Sequence, residues 1–275
     1  MMVKFFSRKN RMMTIGLLMV TSLLLVALFC RSLEPNDPHK VVLADKNQLP
    51  SEQYPLGTDS MGRCMLSRIL EGTRASLGIA LLAIAISVTA GSVIGVISGY
   101  AGGVIDAFLM RLTDVFMSFP GIIFALTILA ISGPGFWNAA FALSAIEWTG
   151  YARLTRGETS KLRSSEFIEG AKAIGNNEVQ VAAKYLLPKI APQVLVLIPL
   201  DISKTIMASA SLSFLGLGIQ PPIAEWGSML NEARQFIQTA PHMILYTSIA
   251  LVLSALAFNI LGEGIRDRLN PYLAE

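Results

Sequence analysis

Four stretches of this chain, residues 12–30, 75–105, 115–146 and 243–262, contain no Asp, Glu, Lys or Arg. A helix that crosses the ~30 Å hydrocarbon core of a bilayer needs only about 20 apolar residues. Each run is long enough to span, and 115–146 is too long for one span. The rest of the composition agrees: 53% of the 275 residues are hydrophobic and 15% are charged, where soluble domains carry about 25% charged residues. The fold class predicted is an all-α membrane protein of about six transmembrane helices. The net charge of +3 is small and gives no reason to expect nucleic acid as a partner. Cys30 and Cys64 stand alone, without the spacing of a disulfide framework or a zinc site.

Lys4, Arg8, Lys9 and Arg11 precede the first apolar run, a layout shared by signal peptides, lipoprotein signals and first anchor helices. No small-x-small cleavage site follows, and Phe29 precedes Cys30, so the run is read as a retained helix. Residues 31–74, with Pro35, Pro38, Pro50 and Pro55, are expected to form an ordered extracytoplasmic loop. The domain division expected is therefore a tail and first helix at 1–30, a loop at 31–74, and a five-span core at 75–275. The second span, from Ala75, carries Gly91 and Gly95 four apart, a spacing that lets another backbone approach closely. Gly133-Pro134-Gly135 breaks the long run into spans three and four. Span three begins near Phe108 and places Arg111 and Asp114 on one helix face, where they can pair. Span four, 136–152, contains Glu147.

Span five, 190–215, is interrupted by Pro192, Pro199, Asp201 and Lys204. Such groups are costly in lipid unless they face protein or a water-filled path. Asp201 is thus a candidate to line such a path; Glu147 and, in the 216–242 stretch, Glu225 are further carboxylates that become translocation-path candidates if the chain carries a cargo. Asp201 and Lys204, three apart, can equally be an internal ion pair that neutralises two charges. No confident metal site is found. Span six is 243–262. Basic residues gather at the N-terminus, in 153–189 and in the tail at Arg266 and Arg268, while the 131–136 turn has none. Basic flanks mark the cytoplasmic side, so both termini are expected there, in a multi-pass membrane protein with lipid around it.

Between spans four and five, residues 164–188 read as helix, turn, helix. Ser164 and Ser165 suit an N-cap, and Glu166 and Glu169 suit a first turn. Phe167, Ala171 and Ile174 recur at helical spacing. Gly175 suits the helix end, Asn177 with Gln180 a capping box, and Pro188 a stop. A short amphipathic helix of this kind fits a groove on a soluble partner or a lipid surface, and the residues alone do not choose between them.

Glu169-Gly170-Ala171, then Gly175, then Leu187-Pro188 resembles the coupling motif of bacterial ATP-binding-cassette (ABC) importer permeases. Gly170 stands where alanine is typical and Tyr185 where an aliphatic is typical. Pro55-Leu56-Gly57-Thr58-Asp59 through Gly62-Arg63, with Ser67-Arg68 and Gly72 to Leu77, is similar to the external loop of the C-type permease subunit of dipeptide, oligopeptide and nickel importers. Residues 212–218 with Pro221-Pro222 and Trp226-Gly227, and Asn259, Gly262, Arg266-Asp267 and Asn270-Pro271, resemble the same family over 12–272. Ser209 stands where peptide permeases often carry glutamate, Cys64 where an acid is common, and Leu200-Asp201-Ile202 and Ala224-Glu225-Trp226 look like the nickel branch.

The resemblance implies a type I importer permease of the bacterial cytoplasmic membrane that moves nickel as a chelate, with dipeptide or oligopeptide import as the alternative. It also implies a second permease subunit, two cytoplasmic ATPase subunits that bind ATP and Mg, and an extracytoplasmic substrate-binding protein, with ATPase coupling through Glu169, Gly170, Ala171, Gly175, Leu187 and Pro188. No Gly-Lys dipeptide occurs, so this chain carries no P-loop and no cofactor of its own is expected. No HExxH, GxSxG or CxxC is present either, and the two histidines, His39 and His242, are expected in external loops, so the chain reads as a transport subunit and not an enzyme. An ion-coupled carrier would call for an internal repeat, and the halves show none.

Overall fold

A computed structural model describes residues 8–269. Lys4 and Asn270-Pro271 lie outside the described residues. Ten α-helices follow one another: α1 (Arg8–Leu33), α2 (Met65–Ala101), α3 (Gly103–Met117), α4 (Gly121–Ser132), α5 (Phe136–Arg163), α6 (Glu166–Ala173), α7 (Glu178–Val181), α8 (Leu187–Phe214), α9 (Trp226–Ala233) and α10 (Pro241–Leu269). Among the described residues there is no strand, only one isolated bridge between Thr58 and Cys64.

Four helical stretches are long and apolar enough to cross a membrane: 11–33, 65–101, 178–214 and 241–269. α3 and α4 together form a fifth, bent by 84° at a short break. Phe119-Pro120 occupies that break, where proline cannot donate to the helix ladder. α5 is the remaining long helix, 28 residues from Phe136, and its second half is too rich in charge to pass as a span by composition. The expected division of 115–146 at Gly133-Pro134-Gly135 is therefore present, as the turn between α4 and α5.

α2 is the central helix and packs most extensively on α5. Gly91, Gly95 and Gly99 face α5 in successive turns. A Cβ added at Gly91 would lie 2.7 Å from the Tyr151 Cβ, and one at Gly99 would lie 2.8 Å from the Thr159 Cβ. The small-residue stripe thus extends one turn beyond the Gly91/Gly95 pair, and it lets the two backbones touch. α1 and α8 flank α2, and α10 closes the bundle against α1 and α8. The core follows this order: Leu77, Ile84, Ile206, Trp226 and Phe258 in one cluster, Ile79, Leu129, Leu143 and Leu212 in a second, Ile168, Leu186 and Ile190 in a third.

Several expected boundaries move. α2 begins at Met65, ten residues before the expected start, because Cys64 ends an ordered turn and Arg68, Ser67 and Thr73 are buried. The loop is accordingly shorter than 31–74. His242 lies in the first turn of α10 and is buried, with its Nε2 3.1 Å from the Thr58 carbonyl oxygen; only His39 lies in a loop. Asp114 pairs with Arg153 of α5 at 2.5 Å, not with Arg111, and Asp106 pairs with Arg156. Both acids of α3 turn toward α5 because its cations stand on the facing helix.

Candidate functional site

The 164–188 segment is built by local signals that the structure honours in part. Ser165 occupies the N-cap of α6, although its hydroxyl donates to the Leu162 carbonyl at 2.6 Å and not to the helix amides. Asn177 and Gln180 form a reciprocal capping box at the start of α7. Gly175, at φ +89°, makes the left-handed turn between α6 and α7, a conformation that L side chains rarely adopt.

Two expectations change. Pro188 does not end the second helix, which runs without interruption from Glu178 to Phe214. A π-helical turn at Ala182–Leu186 immediately precedes the proline and shifts the hydrogen-bond register that its missing amide donor would break. The apolar face of α6 also divides: Ile168 and Ala171 are buried, while Phe167 and Ile174 are 46% and 75% exposed. Ile168 anchors the helix, which sequence spacing from Phe167 did not select. Glu169, Gly170, Gly175, Leu187 and Pro188 are all exposed, so this protrusion offers an acid and a small-residue surface outward.

Tyr185, unusual at its position, ties the segment together. Its ring meets Phe167 edge-to-face at 5.6 Å, and its hydroxyl lies 3.3 Å from Asn176 Nδ2, which also donates to the Ala171 carbonyl at 2.8 Å. Lys189 Nζ stands 4.0 Å from the Phe167 ring centroid, a cation–π contact. One aromatic pair therefore holds α6 at a fixed angle to the helix that enters the membrane bundle.

The three acids proposed for a path separate into two places. Asp201 of α8 accepts from the Tyr151 hydroxyl at 2.8 Å and pairs with Lys204 at 2.9 Å. Glu147 of α5, one turn from Tyr151, lies within electrostatic reach of both Asp201 and Lys204 and has no hydrogen bond or ion pair among the described residues. The Lys204 side chain is 72% exposed on a helix that crosses the membrane. Glu225 is elsewhere. It is fully buried at the start of α9, where its Oε2 accepts from the Ser228 amide at 2.9 Å and its Oε1 from the Ser76 hydroxyl at 3.2 Å. Burial pushes its carboxyl above the ordinary range, against the lowering effect of those hydrogen bonds. Its geometry caps α9 and fastens it to α2. Among the described residues no three His, Cys, Asp or Glu side chains converge as a metal site.

A buried ionic cluster that sequence spacing did not reveal lies toward the α9 end of the molecule. Asp59, Arg63 and Arg68 come from the 55–68 motif, and Glu232 comes from α9. Asp59 Oδ1 accepts the backbone amides of Met61 and Arg63 at 2.8 and 2.9 Å, which folds the motif into a tight turn. The motif residues were legible as a pattern, but Glu232 carries no local signal that marks it as their partner.

Residues 91–275 match the model of a family described as the binding-protein-dependent transport system inner membrane component. The glutathione transport system permease protein GsiD of Pectobacterium atrosepticum is 39% identical over 98% of this chain and 89% of its own length. GsiD of Escherichia coli O157:H7 is 39% identical over 97% of this chain and 88% of its own. The dipeptide transport system permease protein DppC of Alkalihalophilus pseudofirmus is 36% identical over 96% of this chain and 87% of its own. Among solved structures, an inward-facing conformation of the MetNI methionine ABC transporter matches with a TM-score of 0.60 at 17% identity, over 75% of this chain and 98% of that one. The fold is thus that of a type I ABC importer permease, and this chain belongs to the binding-protein-dependent inner membrane permeases, as a multi-pass transport subunit and not an enzyme.

Proposed function

We propose that this permease subunit serves the import of a small peptide-class cargo across the bacterial cytoplasmic membrane, with its N- and C-termini on the cytoplasmic side. The observation that carries the reading is the end-to-end likeness to permeases named for glutathione and dipeptide transport. It outweighs the lean toward nickel taken from Ser209, Asp201 and the residues around Glu225, which rests on single positions.

In this reading a second permease completes the path, an extracytoplasmic binding protein delivers cargo, and two ATPase subunits bind ATP and Mg. The 164–188 segment, in which Glu169, Gly170, Gly175, Leu187 and Pro188 are exposed and Ala171 packs beneath them, is the part on which they act. The division into a first helix, an outer loop and a core belongs to the same proposal, with the helix boundaries at Leu33 and Met65. Support for a path along α5 and α8 is energetic. A charge held in hydrocarbon costs roughly 2.5–3.5 kcal/mol even on the mildest scale, so exposed Lys204 and unpaired Glu147 favour a face turned to water or to the second permease.

The test is side-by-side uptake of radiolabelled glutathione, a dipeptide and nickel by cells with and without this chain, its partners intact. Loss of peptide or glutathione uptake alone supports the proposal. Loss of nickel uptake alone overturns the cargo.

A further inference from the structure

A cavity of about 630 Å³ opens between the end of α2 and the 172–187 region, within the ~300–1,000 Å³ usual for small-molecule pockets. Its α2 wall rises in successive turns through Val93, Val96 and Ile97 to Tyr100. Val93 and Ile97 are 54% and 50% exposed. At the Tyr100 end stand Arg163 and Lys172. Lys172 Nζ lies 5.0 Å from the Tyr100 ring centroid, and Arg163 Nη1 donates to the Ala101 carbonyl at 3.2 Å. Among the described residues neither cation has an ion pair, and Glu178 is the one acid in the lining.

We propose that this cavity holds an anionic phospholipid. The apolar wall runs about 10 Å along the helix axis, at ~1.5 Å per residue, before the cations begin. Acyl chain followed by phosphate is the same order, with the phosphate between Arg163 and Lys172. Basic pockets between membrane helices near the interface recognise such headgroups. An apolar helix face would cover the wall but brings no phosphate to the two cations, whereas a phospholipid supplies both the chain and the counter-charge, so charge complementarity favours the lipid. Lys172 belongs to α6, the helix that exposes Glu169, and the headgroup therefore bears on the coupling segment. The inference rests on the proposed function only in placing that segment at the membrane face.

The assembled transport complex is reconstituted in vesicles of equal phosphatidylglycerol and phosphatidylcholine, re-extracted in mild detergent, and its retained lipid counted by native mass spectrometry. At ~1 kcal/mol for each basic residue, the wild type retains phosphatidylglycerol about thirtyfold over phosphatidylcholine, and Arg163→Ala/Lys172→Ala falls to the bulk ratio. Val93→Trp, which fills the wall and keeps the charges, lowers retention of both lipids. If the variants fail to assemble, the wild-type ratio decides alone. Retention in the bulk ratio overturns the proposal, as does cross-linking of Val93→Cys to the second permease without lipid enrichment. Lipid enrichment without ATP-dependent uptake overturns the function proposed above and leaves the lipid site standing.

Discussion

Arg63 and Glu232 stand 169 positions apart in the chain and meet at 2.8 Å, with the arginine side chain 3% exposed. The pair closes a neutral cluster with Asp59 and Arg68 and fixes α9 against the turn that precedes α2. Glu232→Ala leaves two buried guanidinium groups facing one carboxylate. Removing one partner of a buried pair costs about 3–5 kcal/mol, so the purified complex should show a large fall in Tm. Arg63→Met combined with Glu232→Leu should be milder, since Asp59 and Arg68 then balance; a double variant as unstable as the single would refute this account.

The contact of α2 with α5 predicts opposite outcomes at two glycines. A Cβ at Gly95 would collide with Thr155 and the Ala152 carbonyl, whereas one at Gly150 meets nothing within 4 Å. Overpacking costs roughly 1–3 kcal/mol, so Gly95→Ala should lower Tm, and Gly150→Ala should leave it unchanged or raise it by helix propensity.

Glu169 is exposed on α6, and among the described residues its side chain has no hydrogen bond or ion pair to lose. Glu169→Lys should reach the membrane at normal levels while ATP hydrolysis and uptake come apart, measured on the same vesicles. Normal uptake would remove the docking role.

Glu225 predicts a pH effect. Its carboxyl is raised from 4.5 mainly by burial, so the folded state resists an ionisation that the unfolded chain undergoes freely. That contribution is favourable at low pH and declines as pH rises from the ordinary glutamate range to the raised value. Relative to wild type, Glu225→Gln should gain Tm between pH 5 and pH 7.5. Glu225→Ala loses both accepted bonds and should cost about 2 kcal/mol at pH 5, a cost that shrinks toward pH 7.5 because the same ionisable group is removed.

Asp201→Ala strands the Tyr151 hydroxyl and exposed Lys204. If α5 and α8 line the path, Asp201→Ala should reduce cargo uptake at least tenfold with assembly retained, and Glu147→Gln should reduce it less. Unchanged uptake in both would make the cluster a structural neutralisation only.

Local signals account for what the sequence determined. Uncharged runs located most of the spans because hydrocarbon excludes charge whatever the fold, though α8 carries Asp201 and Lys204 and lies in none of them. Asn177 and Gln180 marked the start of α7, and Gly175 the end of α6, because caps and left-handed turns are made by residues a few positions apart. The tertiary structure decided the partners. Asp114 had a cation three residues away and took Arg153 on a facing helix. Pro188, a stop by local rules, sits inside a continuous helix because a π-helical turn and the packing of Leu186 and Ile190 absorb its missing bond. Arg63 found Glu232, and Gly99 extended the helix contact, for the same reason: side chains choose among neighbours that only the assembled helices bring within reach.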